Sequence, residues 1–396
     1  MISPIMPTYA RYDFTFEKGD GVYVFSTDGK RYLDFGAGIA VSSLGHCHPH
    51  LVKALKKQAE RLWHTSNLYH IPGQEYLAQR LVDHTFADTI FFNNSGNEAV
   101  ELGFKMIRRY QAKTGHPERY RIISLTGAFH GRSFAGIAAG KQEKHIAGFG
   151  PMMDGFDQVG LGGLERVELM VTRKTAGIVI EPIQGEGGIR CIDDAYLRGL
   201  RQICDKNSLV LQFDEVQTGV GRTGKFYCHE WSGVEPDILS SAKGLGGGFP
   251  IGATMATDKI ASAMGPGTHG STFGGNPLAM ACANAVLDVI LENGFLEHVV
   301  AMSERLRSGL ENLVTKFPNQ LTEIRGKGLL LGLKCRGNAN EAGDLVAEAN
   351  TLGLLSVPAG ENVMRIIPPL IVGKEHVDEA IDIIDRALTK TARKKA

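Results

Sequence analysis

Leu209-Val210-Leu211-Gln212-Phe213-Asp214-Glu215-Val216-Gln217-Thr218-Gly219 decides the fold. A short, nearly continuous apolar run breaks at once into two acids and a glycine-bearing loop. The same grammar recurs elsewhere. Thr89-Ile90-Phe91-Phe92 runs into NNSGNE, Ile122-Ile123-Ser124-Leu125 into TGAFHGR, Ile178-Val179-Ile180 into EPIQGEGG, and Ile238-Leu239 into SSAKGLGGG. Runs this short, apolar at consecutive positions, read as strands covered on both faces. Helical stretches at 98–112 and 195–207 separate them, so the expectation is an α/β fold with a mostly parallel sheet. In such sheets the ligand site lies at the carboxyl ends of the strands. The polar loops therefore converge on one site.

Outward from this core the texture changes after Asn276-Pro277. Residues 278–292 and 295–316 read as long helices, the first rich in small residues. A strand-like LLLGLKC (329–335), a helix near 340–352, a run at 363–367 and a helix from 374 onward follow. These form a smaller α+β domain, joined by the strand-like GVYVFSTDGKRYLDF with its Asp28-Gly29 turn. The expected division is 45–285 for the large domain and 1–44 with 286–396 for the small one.

Lys+Arg and Asp+Glu both number 43 among 396 residues, so the formal net charge is zero. That balance gives no electrostatic case for nucleic acid or an anionic membrane as partner. The cysteines are scattered without a C-x-x-C pair, which suits free thiols in a reducing cytoplasm. The N-terminus lacks a basic region followed by an apolar core, and no apolar stretch of about 20 residues could span a bilayer. A soluble cytoplasmic protein is expected.

Two motifs point to other chemistry. Gly219-Val220-Gly221-Arg222-Thr223-Gly224 matches G-x-G-x-x-G, with Asp237 downstream, and makes a nicotinamide-dependent oxidoreductase the rival class. The fingerprint requires a helix to open at the glycines. KFYCHEWSGVEPD follows instead, without helical period. Gly45-His46-Cys47-His48-Pro49-His50 offers possible metal ligands, but in no recognised zinc spacing, and no metal is expected.

The chemistry concentrates in the last strand-end loops. Asp214 ends a strongly apolar strand, and Lys243 ends the next one, before Gly244 and Gly246-Gly247-Gly248. A lysine near a carboxylate at a sheet's carboxyl edge is what a pyridoxal phosphate site needs. The amine forms a Schiff base, and the acid keeps the pyridine nitrogen protonated. Ser95-Gly96-Asn97-Glu98 follows a strand and opens a helix with a capping-box pattern. Its free N–H groups and dipole suit a phosphate.

Together, Ser95–Glu98, Phe129-His130-Gly131-Arg132, Glu181-Pro182-Ile183-Gln184-Gly185-Glu186, Asp214–Gln217, Lys243 and Gly270–Asn276 resemble the class-III aminotransferases, pyridoxal-phosphate enzymes of fold type I. Thr8–Tyr12, Gly38–Val41 and Thr65–Tyr69 further resemble the acetylornithine aminotransferase branch. The likeness runs in order over nearly the whole chain. It implies that Lys243 carries the cofactor and shuttles a proton, while Asp214 pairs with the ring nitrogen. Val216 and Phe129 would flank the ring, Gln217 would lie near its phenolic oxygen, and Glu215 belongs to the same cofactor-binding block. Gly96 and Asn97 would give the phosphate their amides, with Thr272 arriving from the partner of a homodimer. Arg132 would clamp a substrate carboxylate, with Ser271 beside it. Glu186 and Arg365 would form a gated pair: the glutamate neutralises the arginine in one half-reaction and releases it to a second carboxylate in the other. The helix turn departs from the branch's usual SGAEANE: Asn97 replaces a small residue and Val100 a polar one.

The resemblance implies transfer of the terminal amine of N2-acetylornithine to 2-oxoglutarate, giving N-acetylglutamate 5-semialdehyde and glutamate in arginine biosynthesis. Succinylornithine, succinyl-diaminopimelate, ornithine and 4-aminobutyrate are rival donors within the same chemistry.

Overall fold

The computed structural model describes residues 4–337 and 340–395, so the extreme N-terminus lies only partly within it. Its centre is a seven-stranded sheet in the order Thr89–Asn93, Gly252–Ala256, Ile238–Ala242, Val210–Asp214, Thr175–Ile180, Arg121–Leu125 and Phe156–Val159. Gly252–Ala256 runs antiparallel to both its neighbours, and the other pairings are parallel. The five loops picked out in the sequence all follow strands of this sheet.

The continuous apolar runs are explained by burial on both faces. Ile178, Ile180, Leu211 and Phe213 pack with Leu197, Leu200 and Ile203 of the helix Asp194–Asn207. Val179, Val210 and Ile238, from the opposite face, pack with Leu102, Met106 and Ile107 of the helix Gly96–Lys113. Alternate strand residues thus serve alternate cores, and each large apolar side chain so buried stabilises by about 1.5–3 kcal/mol. Gln212, polar on a buried face, donates from its Nε2 to Val100 O at 3.2 Å and Ser240 Oγ at 3.1 Å.

Two smaller sheets flank this layer. Phe16–Asp20, Tyr23–Ser26 and Arg31–Asp34 form an antiparallel meander, to which Leu354–Leu355 adds in parallel. Leu321–Lys327, Leu330–Cys335, Val363–Ile366 and Val357–Ala359 form an antiparallel sheet. The helices expected in the second half occupy Pro277–Ile290, Phe295–Lys316, Glu341–Thr351 and Lys374–Lys395. No single described helix is long and apolar enough to cross a membrane.

The glycine triplet at 219–224 folds as consecutive turns, not as the mouth of a helix. Gly221, at φ +83°, lies against Leu296, Leu370 and Ile290. The buried Arg222 guanidinium donates to Leu329 O at 3.0 Å. These residues pin the loop to the C-terminal elements, so the dinucleotide reading is set aside. The histidines of 45–50 diverge. His46 pairs with Asp34 and His50 with Asp288, each at 2.8 Å, while His48 precedes the helix Pro49–Ala59.

Gly177 shows how tightly the sheet is built. A Cβ there would lie 2.5 Å from the carbonyl oxygen of Val210 on the adjoining strand. Backbone cannot step aside as a flexible side chain can, so Gly177→Ala is expected to cost about 1–3 kcal/mol. It should lower the urea unfolding midpoint without changing the transition slope.

Candidate active site

The strand-end loops meet in one cavity of about 560 Å³. Asn94–Asn97, Phe129–Ser133, Glu181, Asp214, Val216, Gln217 and Lys243 line it, and Gly248–Ile251 closes one side. Lys243 follows the strand Ile238–Ala242 at φ +46°, a left-handed conformation unusual for a side chain with a Cβ. The turn Lys243–Gly246 behind it ends at Gly247, at φ +57°, where a Cβ would meet Leu51 at 2.6 Å. Packing therefore holds the lysine in place. Burial, then the positive charge of Arg365, bring its amine down to about 8, against the pull of Glu186, Asp214 and Glu181. An amine that is partly neutral near neutral pH is a competent nucleophile.

Asp214 is the last residue of its strand and is buried. His130 Nδ1 meets its Oδ2 at 2.8 Å, and the Val216 N–H donates to Oδ1 at 3.2 Å. With its proton on Nδ1 the imidazole donates to the carboxylate and fixes its direction. Glu181, the first residue after the strand Thr175–Ile180, accepts the Phe129 N–H at 3.0 Å. Burial and then the charge of Asp214 raise the Glu181 carboxyl well above its ordinary range. Both His130 and Glu181 lie within the sequence blocks quoted above, yet neither had been given a role. Their contacts join different strand-end loops, and local sequence does not reveal such pairings.

At the opposite wall, Ser95 Oγ accepts the Glu98 N–H at 3.3 Å, and the Glu98 carboxylate accepts the Asn94 N–H at 2.8 Å. The reciprocal cap is therefore present, displaced by one residue from the usual pattern. Gly96 is required by space: a Cβ would lie 2.5 Å from Val216 Cγ1. The Asn97 side chain turns toward the neighbouring loop, its Oδ1 accepting the N–H groups of Arg132 at 2.9 Å and Ser133 at 3.0 Å. Arg132 holds its guanidinium carbon 5.8 Å from the Phe129 ring centre.

Arg365 is buried. It donates to Glu186 Oε1 at 2.6 Å and to Gln217 Oε1 at 3.0 Å. Burial pushes the Glu186 carboxyl up, but the charge of Arg365 and its hydrogen bond outweigh this and hold it below its ordinary value. The pair joins the cavity through Gln217.

Other expected residues lie apart. The Glu215 side chain does not line the cavity. Its carboxylate accepts the N–H groups of Cys228 and His229 at 2.6 and 2.8 Å, and the Thr218 hydroxyl at 2.9 Å. Burial raises that carboxyl to about 7. The two adjacent carboxylates thus face different partners, Asp214 the His130 imidazole and Glu215 the amides of Cys228 and His229. The Ser271 hydroxyl accepts from Asn94 Nδ2 at 3.2 Å and from the Gly274 N–H at 2.9 Å. Thr272 is exposed and outside the cavity.

A carboxylate, a buried lysine and a capped helix tip surround one cavity, and a glycine that tolerates no Cβ braces the tip. This donor set fits pyridoxal phosphate. The family model for class-III aminotransferases matches residues 6–388. The chain belongs to that family. An acetylornithine aminotransferase of Brucella melitensis is 54% identical over 389 residues, spanning 98% of this chain and 96% of the relative. An acetylornithine aminotransferase from Elizabethkingia anophelis superposes with a TM-score of 0.87 at 30% identity, over 98% of this chain and 96% of that one. An ornithine aminotransferase from Toxoplasma gondii, with pyridoxal phosphate at partial occupancy in its active site, gives a TM-score of 0.93 at 31% identity, over 99% and 93% of the two chains. This aminotransferase is therefore a pyridoxal-phosphate enzyme of fold type I.

The depressed lysine has a measurable consequence. Capture of pyridoxal phosphate by the cofactor-free aminotransferase requires the neutral amine. Its rate should climb nearly tenfold per pH unit well below 8 and level off above it. Stopped-flow absorbance across pH 6–10 checks this, after allowance for the cofactor's own titrations.

Proposed function

We propose that the enzyme moves the terminal amine of N2-acetylornithine to 2-oxoglutarate, yielding N-acetylglutamate 5-semialdehyde and glutamate for arginine biosynthesis. The observation that carries this reading is the Arg365–Glu186 pair, 2.6 Å apart and coupled electrostatically to the Lys243 amine. A site that must take a donor reacting at an uncharged chain end, and then an acceptor reacting beside its own carboxylate, needs a cation that can be masked and exposed. The acetylornithine aminotransferases among the relatives above support the same donor.

Pyridoxal phosphate, when bound, supplies an aldehyde to hold the amino group and a ring to accept electrons. Asp214, oriented by His130, would keep the ring nitrogen protonated. Phe129 and Val216 would flank the ring, the amides of Gly96 and Asn97 would hold the phosphate at the helix tip, and Gln217 would serve the phenolic oxygen. Lys243 Nζ takes the proton from the substrate carbon bearing the amine and returns it during transfer. Arg132 receives a substrate carboxylate through its bidentate fork. Glu186 covers Arg365 while the donor reacts, then yields it to the α-carboxylate of 2-oxoglutarate.

The division into a cofactor-holding domain, 45–285, and a smaller domain, 1–44 with 286–396, puts Lys243 and Asp214 on the first and Arg365 on the second. The enzyme works as a homodimer in the cytoplasm. The exposure of Thr272 and Phe273 suits a loop that completes the other subunit's phosphate site with Thr272. Cys47, Cys191, Cys204, Cys228 and Cys282 are free thiols, as a reducing compartment allows.

The test is a donor series with 2-oxoglutarate: N2-acetylornithine, succinylornithine, succinyl-diaminopimelate, ornithine and 4-aminobutyrate. N2-acetylornithine should give the highest kcat/KM, and preference for unacylated ornithine would sink the proposal. Lys243→Ala should lose at least about 10³-fold in kcat, since both the covalent anchor and the proton carrier disappear. Borohydride should no longer fix the cofactor to the polypeptide.

A further inference from the structure

The Asn97 side chain has a defined task. A single carbonyl oxygen, Oδ1, takes the backbone N–H groups of both Arg132 and Ser133. Neither N–H has another acceptor among the described residues. Gly131, immediately before them, sits at φ +110°, and a Cβ on it would lie 1.9 Å from Asn97 Oδ1. The loop therefore approaches the amide as closely as glycine permits. Ser133 then caps the helix Phe134–Gly140 by accepting the Gly136 N–H at 3.2 Å. The exposed Arg132 is thus suspended between a flexible glycine and a short helix, and the Asn97 amide ties its backbone to the helix that opens at the phosphate wall.

We infer that Asn97 is a positioning residue for substrate. Its carbonyl fixes the Arg132 backbone so that the guanidinium meets the substrate carboxylate at a set distance from the cofactor. The inference rests on the proposed role of Arg132 as carboxylate clamp. A methyl or short hydroxyl side chain cannot span to both N–H groups, whereas the backbone amide of residue 97 survives substitution. Substrate capture and cofactor capture are therefore separable at this position. Losing a carbonyl shared by two N–H groups should weaken carboxylate binding about tenfold, which corresponds to about 1.4 kcal/mol.

The experiment compares holoenzyme carrying Asn97→Ala, Asn97→Ser or Arg132→Ala with the unaltered protein. Half-reactions are followed by absorbance with N2-acetylornithine and with pentylamine, which has a terminal amine but no carboxylate. Both Asn97 variants should raise the ratio of KM for N2-acetylornithine to KM for pentylamine about tenfold. Hydrogen exchange should show lost protection at the amides of residues 132 and 133. Arg132→Ala should give the same substrate pattern, more strongly. An equal effect on both amines, or none on either, in the Asn97 variants would overturn the inference while leaving the clamp intact. If Arg132→Ala spares N2-acetylornithine, the clamp itself is misassigned and the inference falls with it.

Discussion

An amine kept out of water where a parallel sheet ends is the constraint around which this molecule is arranged. Burial alone would make a protonated Lys243 expensive, and the Arg365 guanidinium adds to the cost. Asp214, Glu181 and Glu186 pull the other way without cancelling it. The result is an amine with divided proton occupancy near neutrality, a state that suits a nucleophile and a proton carrier. Keeping it there demands rigid surroundings. The two-sided cores beneath the helices Gly96–Lys113 and Asp194–Asn207 provide the stiffness, because neither face of the sheet can relax into solvent.

The carboxylates show how environment separates chemically identical groups. Asp214 is directed by an imidazole and by a backbone N–H, so it presents a fixed acceptor to the cavity. Glu181 lies within its field, and burial plus that neighbouring charge favour a proton on Glu181. Glu186 is pulled the other way by Arg365. Glu215, the immediate neighbour of Asp214, is spent on the loop 227–229 and has a structural task. Residue type alone would treat these side chains as equivalent. Position along a strand, and the loop facing each one, set them apart.

The architecture was legible wherever chemistry is local. Strands buried on both faces announce themselves as continuous apolar runs, and the capped helix at Ser95 announces itself by spacing. Lys243 and Asp214 could be paired because both end adjacent strands and the carboxyl edge is where such ends meet. Legibility failed where a contact joins distant segments or where direction matters. His130 on Asp214 and Glu181 under Phe129 are tertiary pairings between loops that share no local pattern. Glu215 shares the family-like block of Asp214, but only the folded chain shows its carboxylate bound by the amides of Cys228 and His229. The glycines of 219–224 matched a nucleotide fingerprint while serving as packing sites for Leu296, Leu370 and Val300.

The buried arginine constrains what the proposed gate can do. Arg365 is only 1% exposed, whereas Glu186 is 28% exposed. Stripping a partner from a buried charge costs about 3–5 kcal/mol, more than a surface pair returns. Glu186 therefore cannot swing out and leave the guanidinium empty at modest cost. An incoming carboxylate must arrive as the glutamate departs, so exchange is concerted in effect and selects for acceptors that carry their own negative charge. Gln217, which holds the same Nη1 at 3.0 Å, lessens the cost during exchange by keeping one hydrogen bond in place. On this reading the more exposed glutamate is the mobile element and the arginine the fixed one, and discrimination between the two substrates follows from that asymmetry in burial.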